Sequence, residues 1–338
     1  MMPAPFFIGS VRVDPPILSA PMAGFTNYAF REVLRKFGGA GLIATEMLSA
    51  RSFACKEANP PPYEEALARL WGIREEPRPL AAQIWDNQPE TLAHFGEVLV
   101  REYRVSVIDL NFGCPAPAIA KNSSSGSWLL KSPEKVADII TQVVKACSPA
   151  PVTAKIRLGW TRDTINAVDV AQAAEDAGAA AITVHGRTAQ EMYRGTADWE
   201  AIAKIKRHLK RIPLIGNGDI RTVEQAVTAF SRYPVDGIML GRVALEKPWI
   251  FRQISQALAG ETVSPDPALT EQKETLLEHY RLMCGQFGEE KGTILMRKTA
   301  PCYAKGIKGA RSFRTAICQA ATAWEFLELV DRLFPTEE

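Results

Sequence analysis

Two kinds of reactive side chain stand at the ends of apolar runs in this sequence: a single thiol and a pair of cations. Cys114 lies between a glycine and a proline directly after the run VSVIDLNF. Lys155 and Arg157 are two residues apart in the run PVTAKIR, so both point to one face of an extended chain. Such a pair needs an anionic or electron-rich partner, and the N1–C2=O edge of a flavin fits, because a cation there stabilises the anionic reduced ring. The amides of Gln83 and Asn217 can pair with the edges of the same ring.

Glycine and arginine close two later apolar runs, in the segments GNGD (216–219) and LGR (240–242). In a barrel of alternating strands and helices, the loops after the last two strands commonly bind phosphate through backbone N–H groups. Arg242 adds a guanidinium that can hold a phosphate with two hydrogen bonds. The sequence therefore predicts a phosphorylated cofactor or substrate. A metal site is not expected, because His185 has no partner at metal-ligand spacing.

The elements that must position these residues are short apolar segments that alternate with helical ones. Within each apolar segment the apolar residues follow one another directly and do not alternate with polar ones, which is typical of parallel strands covered on both faces. These candidate strands are 17–20, 41–47, 79–85, 105–112, 151–157, 180–186, 212–218 and 237–242. The clearest helical segments are 28–37, 133–147, 164–178 with Gly178 as its C-cap, and 222–230 with Thr222 as its N-cap.

About eight such units over roughly 250 residues predict an α/β fold, a TIM (β/α)8 barrel. A doubly wound sheet is the alternative, but it normally carries a GxGxxG fingerprint, which does not occur here. Active sites of such barrels lie at the C-terminal ends of the strands. The candidate strands deliver there Pro21, Met22, Ala23, Gly24, Glu46, Met47, Gln83, Asn111, Cys114, Lys155, Arg157, His185, Arg187, Asn217, Gly218, Asp219, Gly241 and Arg242. Any one of them can be a satisfied buried group, but together they predict a polar mouth over an apolar barrel.

The composition changes after residue 258. The segment AGETVSPDPALT (259–270) predicts a linker, which divides the chain into a barrel domain at 1–258 and a small all-helical domain at 271–338. Seven lysines and arginines, but no Asp or Glu, occur from Lys291 to Trp324, although the whole chain carries a net charge of only +2. This local charge predicts an anionic partner, and the alternative is a solvated helix face.

The overall composition excludes several classes of protein. With 46% hydrophobic and 23% charged residues, the chain has the usage of a soluble protein. No run approaches the roughly 20 apolar residues that a membrane span needs, and the first residues lack the features of a secretory signal. The six cysteines form no CxxC pair and are predicted to be free thiols in a reduced compartment. We therefore expect a cytoplasmic protein without membrane association.

A set of motifs along most of residues 15–255 resembles the FMN-dependent tRNA-dihydrouridine synthases. The matching blocks are APMAGFTN (20–27), TEMLSA (45–50), DLNFGCP (109–115), GSWLLKSP (126–133), KIRLGW (155–160), VHGRTAQEMYRGTADW (184–199), GNGDI (216–220) and MLGRVALEKPWIF (239–251). The segment from MRK to YAKG (296–306) is similar to the family's helical domain, more loosely. The chain differs from the family pattern at Asn27, where Asp is common, at Thr299, where His is common, and in the longer, serine-rich loop 118–126.

This resemblance implies an oxidoreductase that acts on a CH–CH group and reduces the C5–C6 double bond of uridine, with FMN as cofactor and NADPH or NADH as reductant. It implies a TIM barrel followed by a helical RNA-binding domain, acting as a monomer on tRNA or another structured RNA. Cys114 would be the general acid, Asn111 and Arg157 would contact the target uracil, and Arg187, Arg297 and Lys298 would contact RNA. FMN would be bound by Pro21, Met22, Ala23, Gln83, Lys155, His185, Asn217, Gly218, Asp219, Gly241 and Arg242.

A thiol suits the role of general acid, because at a pKa of about 8.5 it is protonated at neutral pH. Three alternatives stay open at the level of the sequence. The same reaction could take place on rRNA, or an FMN barrel enzyme could act on a free small molecule of the dihydroorotate or enoate type. The chain could also be a non-catalytic RNA-binding module, although the retained Cys114, Lys155 and His185 favour an enzyme.

Overall fold

The structure, a computed structural model, describes residues 3–58 and 69–334 of the chain. It begins with an antiparallel hairpin of β1 (Phe6–Ile8) and β2 (Val11–Val13), which the sequence analysis did not predict. Each of these strands exposes its middle residue and buries its last one. Three residues are too few for such an alternation to be recognised as a period.

A ring of parallel strands, eight within the described residues, forms the centre of the molecule. The strands are β3 (Ile17–Ser19), β4 (Ile43–Ala44), β5 (Leu48–Ser49), β6 (Leu80–Trp85), β7 (Val107–Phe112), β8 (Val152–Arg157), β9 (Ala181–His185), β10 (Leu214–Asn217) and β11 (Gly237–Leu240). The short β5 pairs with the end of β6 and lies outside the ring. A parallel bridge between Leu18 and Leu42 joins the first two strands and closes the ring. The predicted TIM barrel is confirmed, and every predicted strand range contains an observed strand.

The predicted strand 41–47 is wrong in its extent, because only Ile43–Ala44 pairs with β6 within that range. Glu46 leaves the ladder: its N–H donates to the carbonyl of Thr26 at 2.9 Å, and its carboxylate accepts the N–H of Gly24 at 2.8 Å. A polar side chain that bonds nearby backbone groups competes with strand pairing. The chain therefore turns away from the sheet and towards the loop that follows β3.

Helices surround the ring. They are α1 (Tyr28–Phe37), α2 (Ala50–Ala58), α3 (Pro89–Arg101), α4 (Pro117–Ala120), α5 (Pro133–Cys147), α6 (Ala167–Asp176), α7 (Trp199–Lys206), α8 (Val223–Arg232), α9 (Arg242–Glu246) and α10 (Ile250–Ala259), with 3-10 turns at Gly126–Lys131 and Arg162–Thr164. Helices α1 and α5 match their predicted ranges, and Thr222 caps α8 as predicted by accepting the N–H of Gln225 at 3.3 Å. Helix α6 begins later than predicted, because Arg162–Thr164 forms a 3-10 turn instead. The main core lies between ring and helices.

The C-terminal part of the described chain is helical, with α11 (Leu269–Phe287), α12 (Glu289–Tyr303), α13 (Ala310–Ile317) and α14 (Ala323–Leu333). Apolar side chains from these helices, together with Ala29 of α1, form a second core beside that of the barrel. Within it Tyr280 stacks on Phe326, with 4.3 Å between ring centroids. A helical unit with its own core thus follows the barrel.

The segment between the two units is shorter than the predicted linker 259–270. Helix α10 runs to Ala259 and α11 begins at Leu269, so helices occupy both ends of the predicted range. In between, Asp266 accepts hydrogen bonds from Trp249 Nε1 at 2.9 Å and Gln253 Nε2 at 3.0 Å. These bonds hold the segment against α10. The division into domains at 1–258 and 271–338 stays a prediction.

Helix α1 connects the barrel to the C-terminal helices. Asn27 caps α1 by accepting the N–H of Phe30 at 3.1 Å, and its Nδ2 lies 3.3 Å from the sulfur of Met283 on α11. The ring of Phe30 lies 5.7 Å from that of buried His279. The asparagine that departs from the family pattern thus keeps the capping function of an aspartate. Among the described helices, none combines the length and the apolar character that crossing a membrane requires.

Candidate active site

A cavity of about 520 Å³ opens at the C-terminal ends of the barrel strands. Cys114, Asn111 and Arg157 line it, together with every residue that was predicted to contact the cofactor. Those residues are Pro21, Met22, Ala23, Gln83, Lys155, His185, Asn217, Gly218, Asp219, Gly241 and Arg242. They are distant in sequence, and they meet because all parallel strands of a barrel end at one rim.

Lys155 is the central cation of this cavity. Its ammonium donates to Asn217 Oδ1 at 3.0 Å, and Asn217 Nδ2 donates to the carbonyl of Met239 at 2.8 Å, which fixes the orientation of that amide. Burial, and next the charge of Arg157, lower the pKa of Lys155 to about 8. The ammonium is therefore protonated at neutral pH, but it gives up its proton more readily than an exposed lysine.

The thiol of Cys114 lies on a turn that its own strand holds in place. Asn111 Oδ1 accepts the N–H groups of Gly113 at 3.1 Å and Cys114 at 2.9 Å. Burial raises the pKa of the Cys114 thiol, although the N–H of Ala116 and the nearby cations act against it. The sulfur is therefore a protonated thiol at neutral pH, as proton donation requires.

The serine-rich loop 118–126, with Ser127 directly after it, packs against the turn that carries Cys114. Ser127 donates to the carbonyl of Cys114 through both its hydroxyl, at 3.0 Å, and its N–H, at 3.1 Å. Gly126 has a φ of +56°, and a Cβ atom there would lie 2.8 Å from the carbonyl oxygen of Cys114. Ser125 is completely buried. The loop is thus packed against the cysteine turn and restricts its position.

Arg157 connects the cysteine turn to the loop after β9. Its Nε donates to the carbonyl of Gly113 at 2.9 Å, and its Nη1 donates to the carbonyls of Thr188 at 2.9 Å and Met192 at 2.7 Å. The guanidinium also lies 5.5 Å from the ring centroid of Tyr193. Arg157 therefore has a structural function at the mouth in addition to the uracil contact that the resemblance implies.

His185 is neutral at the cavity wall. Burial, followed by the charges of Lys155 and Arg157, lowers the pKa of its imidazole well below the usual value. Its Nε2 lies 3.2 Å from Arg187 Nη1, and a guanidinium can only donate. Nε2 is therefore assigned as the acceptor, which leaves the ring proton on Nδ1.

Arg187 lies beneath the cavity wall rather than on it. It is 1% exposed, and it makes a two-bond ion pair with Asp219 at 3.0 and 2.6 Å. It also donates to the carbonyls of Arg194 and Gly195. These bonds occupy the guanidinium that the resemblance assigned to RNA. Asp219 in turn accepts from Arg242 at 3.1 Å, so this ion pair orients the arginine at the glycine-rich end of the cavity.

Two predicted RNA contacts come from α12. Lys298 is exposed at the rim: its ammonium lies 3.3 Å from the carbonyl oxygen of Ala23 and 3.7 Å from the ring centroid of Phe25. Arg297 is half-buried and donates to the carbonyl of Ala320 at 2.6 Å. Thr299, the departure from the family pattern, is buried. Of these neighbouring residues, Lys298 is the one at the cavity mouth.

Sequence reasoning missed several residues at or beneath the site. Phe25, Tyr193 and Glu246 line the cavity, and Tyr193 is 55% exposed with Arg242 at 5.0 Å from its ring centroid. Asp109 is buried on β7 below Gln83. Asp109 had a signal that was available, because it precedes Asn111 by two residues and so shares its face. Nothing in the sequence distinguishes the cavity-lining ring of Tyr193 from those of other exposed aromatic residues.

The lining fits a phosphorylated flavin. Lys155, partly buried at the cavity wall, donates to the amide of Asn217, whose orientation is fixed by its bond to Met239. The amide of Gln83 lines the same cavity, and its bond to Asp109 fixes its orientation. At the other end lies Arg242, 43% exposed, next to Gly241, where a Cβ atom would lie 3.6 Å or more from its neighbours. One end can thus accommodate an electron-rich ring edge and the other a phosphate. Among the described residues, no cluster of histidine, cysteine and carboxylate side chains could hold a metal ion.

Solved structures of other proteins share the fold of this chain. Among solved structures, morphinone reductase in complex with tetrahydroNAD has a TM-score of 0.55 and 14% identity, covering 79% of this chain and 93% of that chain. An old yellow enzyme homologue from Zymomonas mobilis also has a TM-score of 0.55, with 12% identity over 80% of this chain and 95% of that chain. At these identities the likeness shows the barrel fold.

The sequence relatives are more informative. A protein of Pseudomonas aeruginosa named tRNA-dihydrouridine synthase B is 37% identical over 316 residues, 91% of this chain and 89% of the relative. A protein of the same name from Xanthomonas axonopodis is 36% identical over 324 residues, 93% of this chain and 91% of the relative. The family described as Dihydrouridine synthase (Dus) matches residues 18–337. The protein whose cavity brings together Cys114, hydrogen-bonded amides and the cations Lys155 and Arg157 therefore belongs to the dihydrouridine synthase family.

Proposed function

We propose that this protein reduces the C5–C6 double bond of specific uridines in tRNA, giving 5,6-dihydrouridine, with FMN as cofactor and NADPH or NADH as reductant. The observation that carries the proposal is the Cys114 thiol at the mouth of a flavin-sized cavity. Two relatives that match over most of the chain carry the name of this activity. The enzyme is an oxidoreductase that acts on a CH–CH group.

The chain's own residues suffice to hold the cofactor. Lys155, Gln83 and Asn217 would bind the ring edges, and Arg242 with Gly218 and Gly241 would bind the phosphate. Pro21, Met22, Ala23, His185 and Asp219 would complete the wall. A flavin bound there would supply hydride transfer from the nicotinamide to C6 of the uracil. The neutral His185 fits such a wall, because it adds no charge beside Lys155 and Arg242.

The protein supplies the second hydrogen as a proton. Cys114 Sγ donates its proton to C5, and the sulfur becomes a thiolate that the charges of Arg157 and Lys155 stabilise. Since burial keeps the thiol protonated beforehand, the proton is available when the hydride arrives. Hydride and proton together saturate the double bond. Asn111 and Arg157 would position the uracil, while their remaining bonds keep the cysteine turn in place.

The C-terminal helices would bind the RNA backbone. Of the seven basic residues between 291 and 314, all except Arg297 are exposed. Exposed lysines and arginines bind phosphates and release counterions, which supplies affinity without sequence preference. The target base must leave its stack to reach the cavity, so we expect a flipped or already unstacked uridine. Lys298, at the rim beside Phe25, lies where such a nucleotide would pass.

A direct test combines a spectrum with an RNA measurement. The purified protein should show flavin absorbance that NADPH bleaches and that tRNA, added anaerobically, restores. Deletion of the gene should remove dihydrouridine from specific tRNA positions, and the wild-type gene should restore it. Unchanged dihydrouridine in tRNA with a loss in rRNA would move the activity to that RNA. Unchanged content in both would overturn the proposal and favour a small-molecule substrate.

Monomeric state, cytoplasmic location and the domain boundaries at 258 and 271 are part of the same proposal. Analytical ultracentrifugation of the purified protein tests the first, with a single species of 37.2 kDa expected. Limited proteolysis tests the third. The segment 260–268 is held to α10 by Asp266, so we expect it to resist cleavage better than an unbound linker.

A further inference from the structure

A chain of hydrogen bonds begins beneath the cavity and ends at the backbone of Cys114. Asp109, 5% exposed, lies at its buried end. Its Oδ2 accepts from Gln83 Nε2 at 2.6 Å, and Gln83 Oε1 accepts from Asn111 Nδ2 at 2.9 Å. Asn111 Oδ1 then accepts the N–H of Cys114 at 2.9 Å. The reaction proposed above gives Asp109 no part, and its side chain does not touch the reacting atoms.

The pairing register of three strands brings the side chains of this hydrogen-bond chain together. Gln83 on β6 is directly opposite Asp109 on β7, and Asp109 is directly opposite Thr153 on β8. Thr153 Oγ1 donates to Asp109 Oδ1 at 2.7 Å, so both carboxylate oxygens accept. The three side chains are therefore neighbours across adjacent strands and not the product of a flexible loop.

The two ends of the chain determine the orientation of the amides between them. At one end, the backbone N–H of Cys114 can only donate a hydrogen bond. At the other end, Asp109 accepts both of its hydrogen bonds, from Gln83 and from Thr153. With both ends specified, Gln83 and Asn111 each have one orientation that satisfies every bond. Reversal of either amide would leave two buried donors facing each other, which costs the full desolvation of an unsatisfied group. A network that is fully satisfied in this way is rigid.

We propose that Asp109 is a positioning residue for the Cys114 thiol, acting through the side chains of Gln83 and Asn111. The acceptor at position 109 fixes Gln83, which fixes Asn111, which holds the turn that carries the sulfur. Its importance for turnover rests on the proposed function, in which that sulfur donates the proton. A proton donor displaced by about 1 Å can lose about 100-fold in rate, so the buried acceptor controls the chemical step from a distance.

A purely electrostatic function of Asp109 is the competing explanation, because its negative charge also favours the protonated form of Lys155. Substitutions separate the two. Asp109→Asn keeps an acceptor oxygen for Gln83 and removes the charge. Asp109→Glu keeps the charge but displaces the carboxylate by one methylene. Asp109→Leu removes both, and Ile108→Val is a control at the adjacent, equally buried position on the opposite face of β7.

The test uses full-length, FMN-loaded protein and two measurements. The first is the rate at which iodoacetamide alkylates Cys114, followed on its peptide by mass spectrometry because other cysteines are exposed. The second is stopped-flow absorbance, which separates reduction of the flavin by NADPH from its reoxidation by tRNA. Alkylation needs no RNA, so it tests the position of the thiol even if the proposed substrate is wrong.

We expect Asp109→Leu to slow reoxidation by about 30-fold or more, since a lost buried hydrogen bond to a charged group weakens transition-state positioning. Flavin reduction should change by less than about 3-fold, because the nicotinamide does not use Cys114. Alkylation should become several-fold faster, since a released turn exposes the sulfur and increases its thiolate fraction. Asp109→Asn should remain within about 3-fold of wild type in all three rates, because its oxygen can still accept from Gln83 while its amide nitrogen donates to the hydroxyl of Thr153.

Two results would overturn the proposal. One is an Asp109→Leu protein that matches Ile108→Val in both alkylation and reoxidation. The other is an active Asp109→Glu together with an impaired Asp109→Asn, which would make the charge the cause. If Asp109→Leu fails to load FMN, Asp109→Glu carries the test, and slow reoxidation with fast alkylation is expected of it. Failure of tRNA to reoxidise even the wild type would refute the proposed substrate and leave the alkylation result standing.

Discussion

The barrel mouth and the C-terminal helices both carry basic side chains, but the two regions use them in opposite ways. At the mouth, Lys155 donates to Asn217, and Arg157 donates to the carbonyls of Gly113, Thr188 and Met192. On α13, Arg311 and Arg314 are exposed to solvent. The protein holds Lys155 and Arg157 in place, whereas Arg311 and Arg314 face outward, where a polyanion can reach them.

This contrast separates the residues that act in the reaction from those that contribute affinity for RNA. Buried, hydrogen-bonded cations have shifted pKa values and fixed positions, so substituting them changes individual chemical steps. Exposed cations contribute through the summed attraction of many phosphates, which salt weakens. We therefore expect variants at the mouth to change rate constants and variants on the helices to change the concentration of tRNA that is needed.

The largest effect is expected at the mouth. Cys114→Ala should lower the rate of dihydrouridine formation by about 10²- to 10⁴-fold, the usual contribution of a general acid. Flavin content and reduction by NADPH should stay close to wild type, because the thiol is not needed for either. Stopped-flow absorbance measures the reduction, and nucleoside mass spectrometry of tRNA measures the product. A fully active Cys114→Ala protein would place the proton donor elsewhere.

On the helices, charge reversal should change binding alone. A protein with Lys308→Glu, Arg311→Glu and Arg314→Glu should raise the KM for tRNA by about 10-fold or more and flatten its dependence on salt, since fewer counterions are released. Flavin reduction by NADPH should not change. Arg101→Glu, an exposed arginine at the end of α3, is the matched control and should leave the KM unchanged. An equal rise in the control would show a general charge effect and no docking surface.

The partly buried side chain of Lys155 should make the stability of the FMN-free protein depend on pH. Its pKa is about 8 in the fold, below the value of about 10.5 in the unfolded chain, so between these values the unfolded chain holds the extra proton. The free energy of unfolding, relative to Lys155→Met, should therefore rise by roughly 2–3 kcal/mol from pH 8 to 10.5. Urea denaturation of both proteins at several pH values measures the difference. A flat difference would mean that the folded lysine titrates normally.

The smallest effect concerns the loop that packs against the thiol. Gly126→Ala should cost about 1–2 kcal/mol, because the left-handed backbone disfavours any Cβ atom. It should also slow turnover, since the new methyl group would clash with the carbonyl oxygen of Cys114. Gly260→Ala is the control: its φ is +70°, but a Cβ atom there has no neighbour within 4 Å. Equal turnover in the two variants would show that the loop does not position the cysteine.

The sequence predicted the fold well where the signal was local. Helix α5 was predicted at its observed limits, because its apolar spacing, Ser132 cap and Pro133 start all lie within one segment. The strand at 41–47 was predicted too long, because the interactions that end it come from Thr26 and Gly24, in another loop. The hairpin β1–β2 was missed because three-residue strands have no readable period.

The sequence predicted which residues line the candidate site, but not their burial or their hydrogen-bond partners. Motif blocks named the residues that line the cavity, since parallel strands bring their ends together whatever the details. They did not show that Arg187 lies under the wall in an ion pair with Asp219, because a motif gives no burial. They also did not show that Asn111 uses its oxygen for the cysteine turn, since the orientation of an amide depends on its partners.

By itself, the sequence determined the barrel, the helical unit that follows it, the family and most of the polar residues that line the cavity. These follow from periodicity and from short motifs, which need only neighbours along the chain. The tertiary structure alone decided which cations are held and which face the solvent, the raised pKa of Cys114, and the chain from Asp109 to its turn. The reason is physical: burial and hydrogen-bond partners are set by strands that are adjacent in space, and Gln83, Asp109 and Thr153 meet only when three strands pair in register.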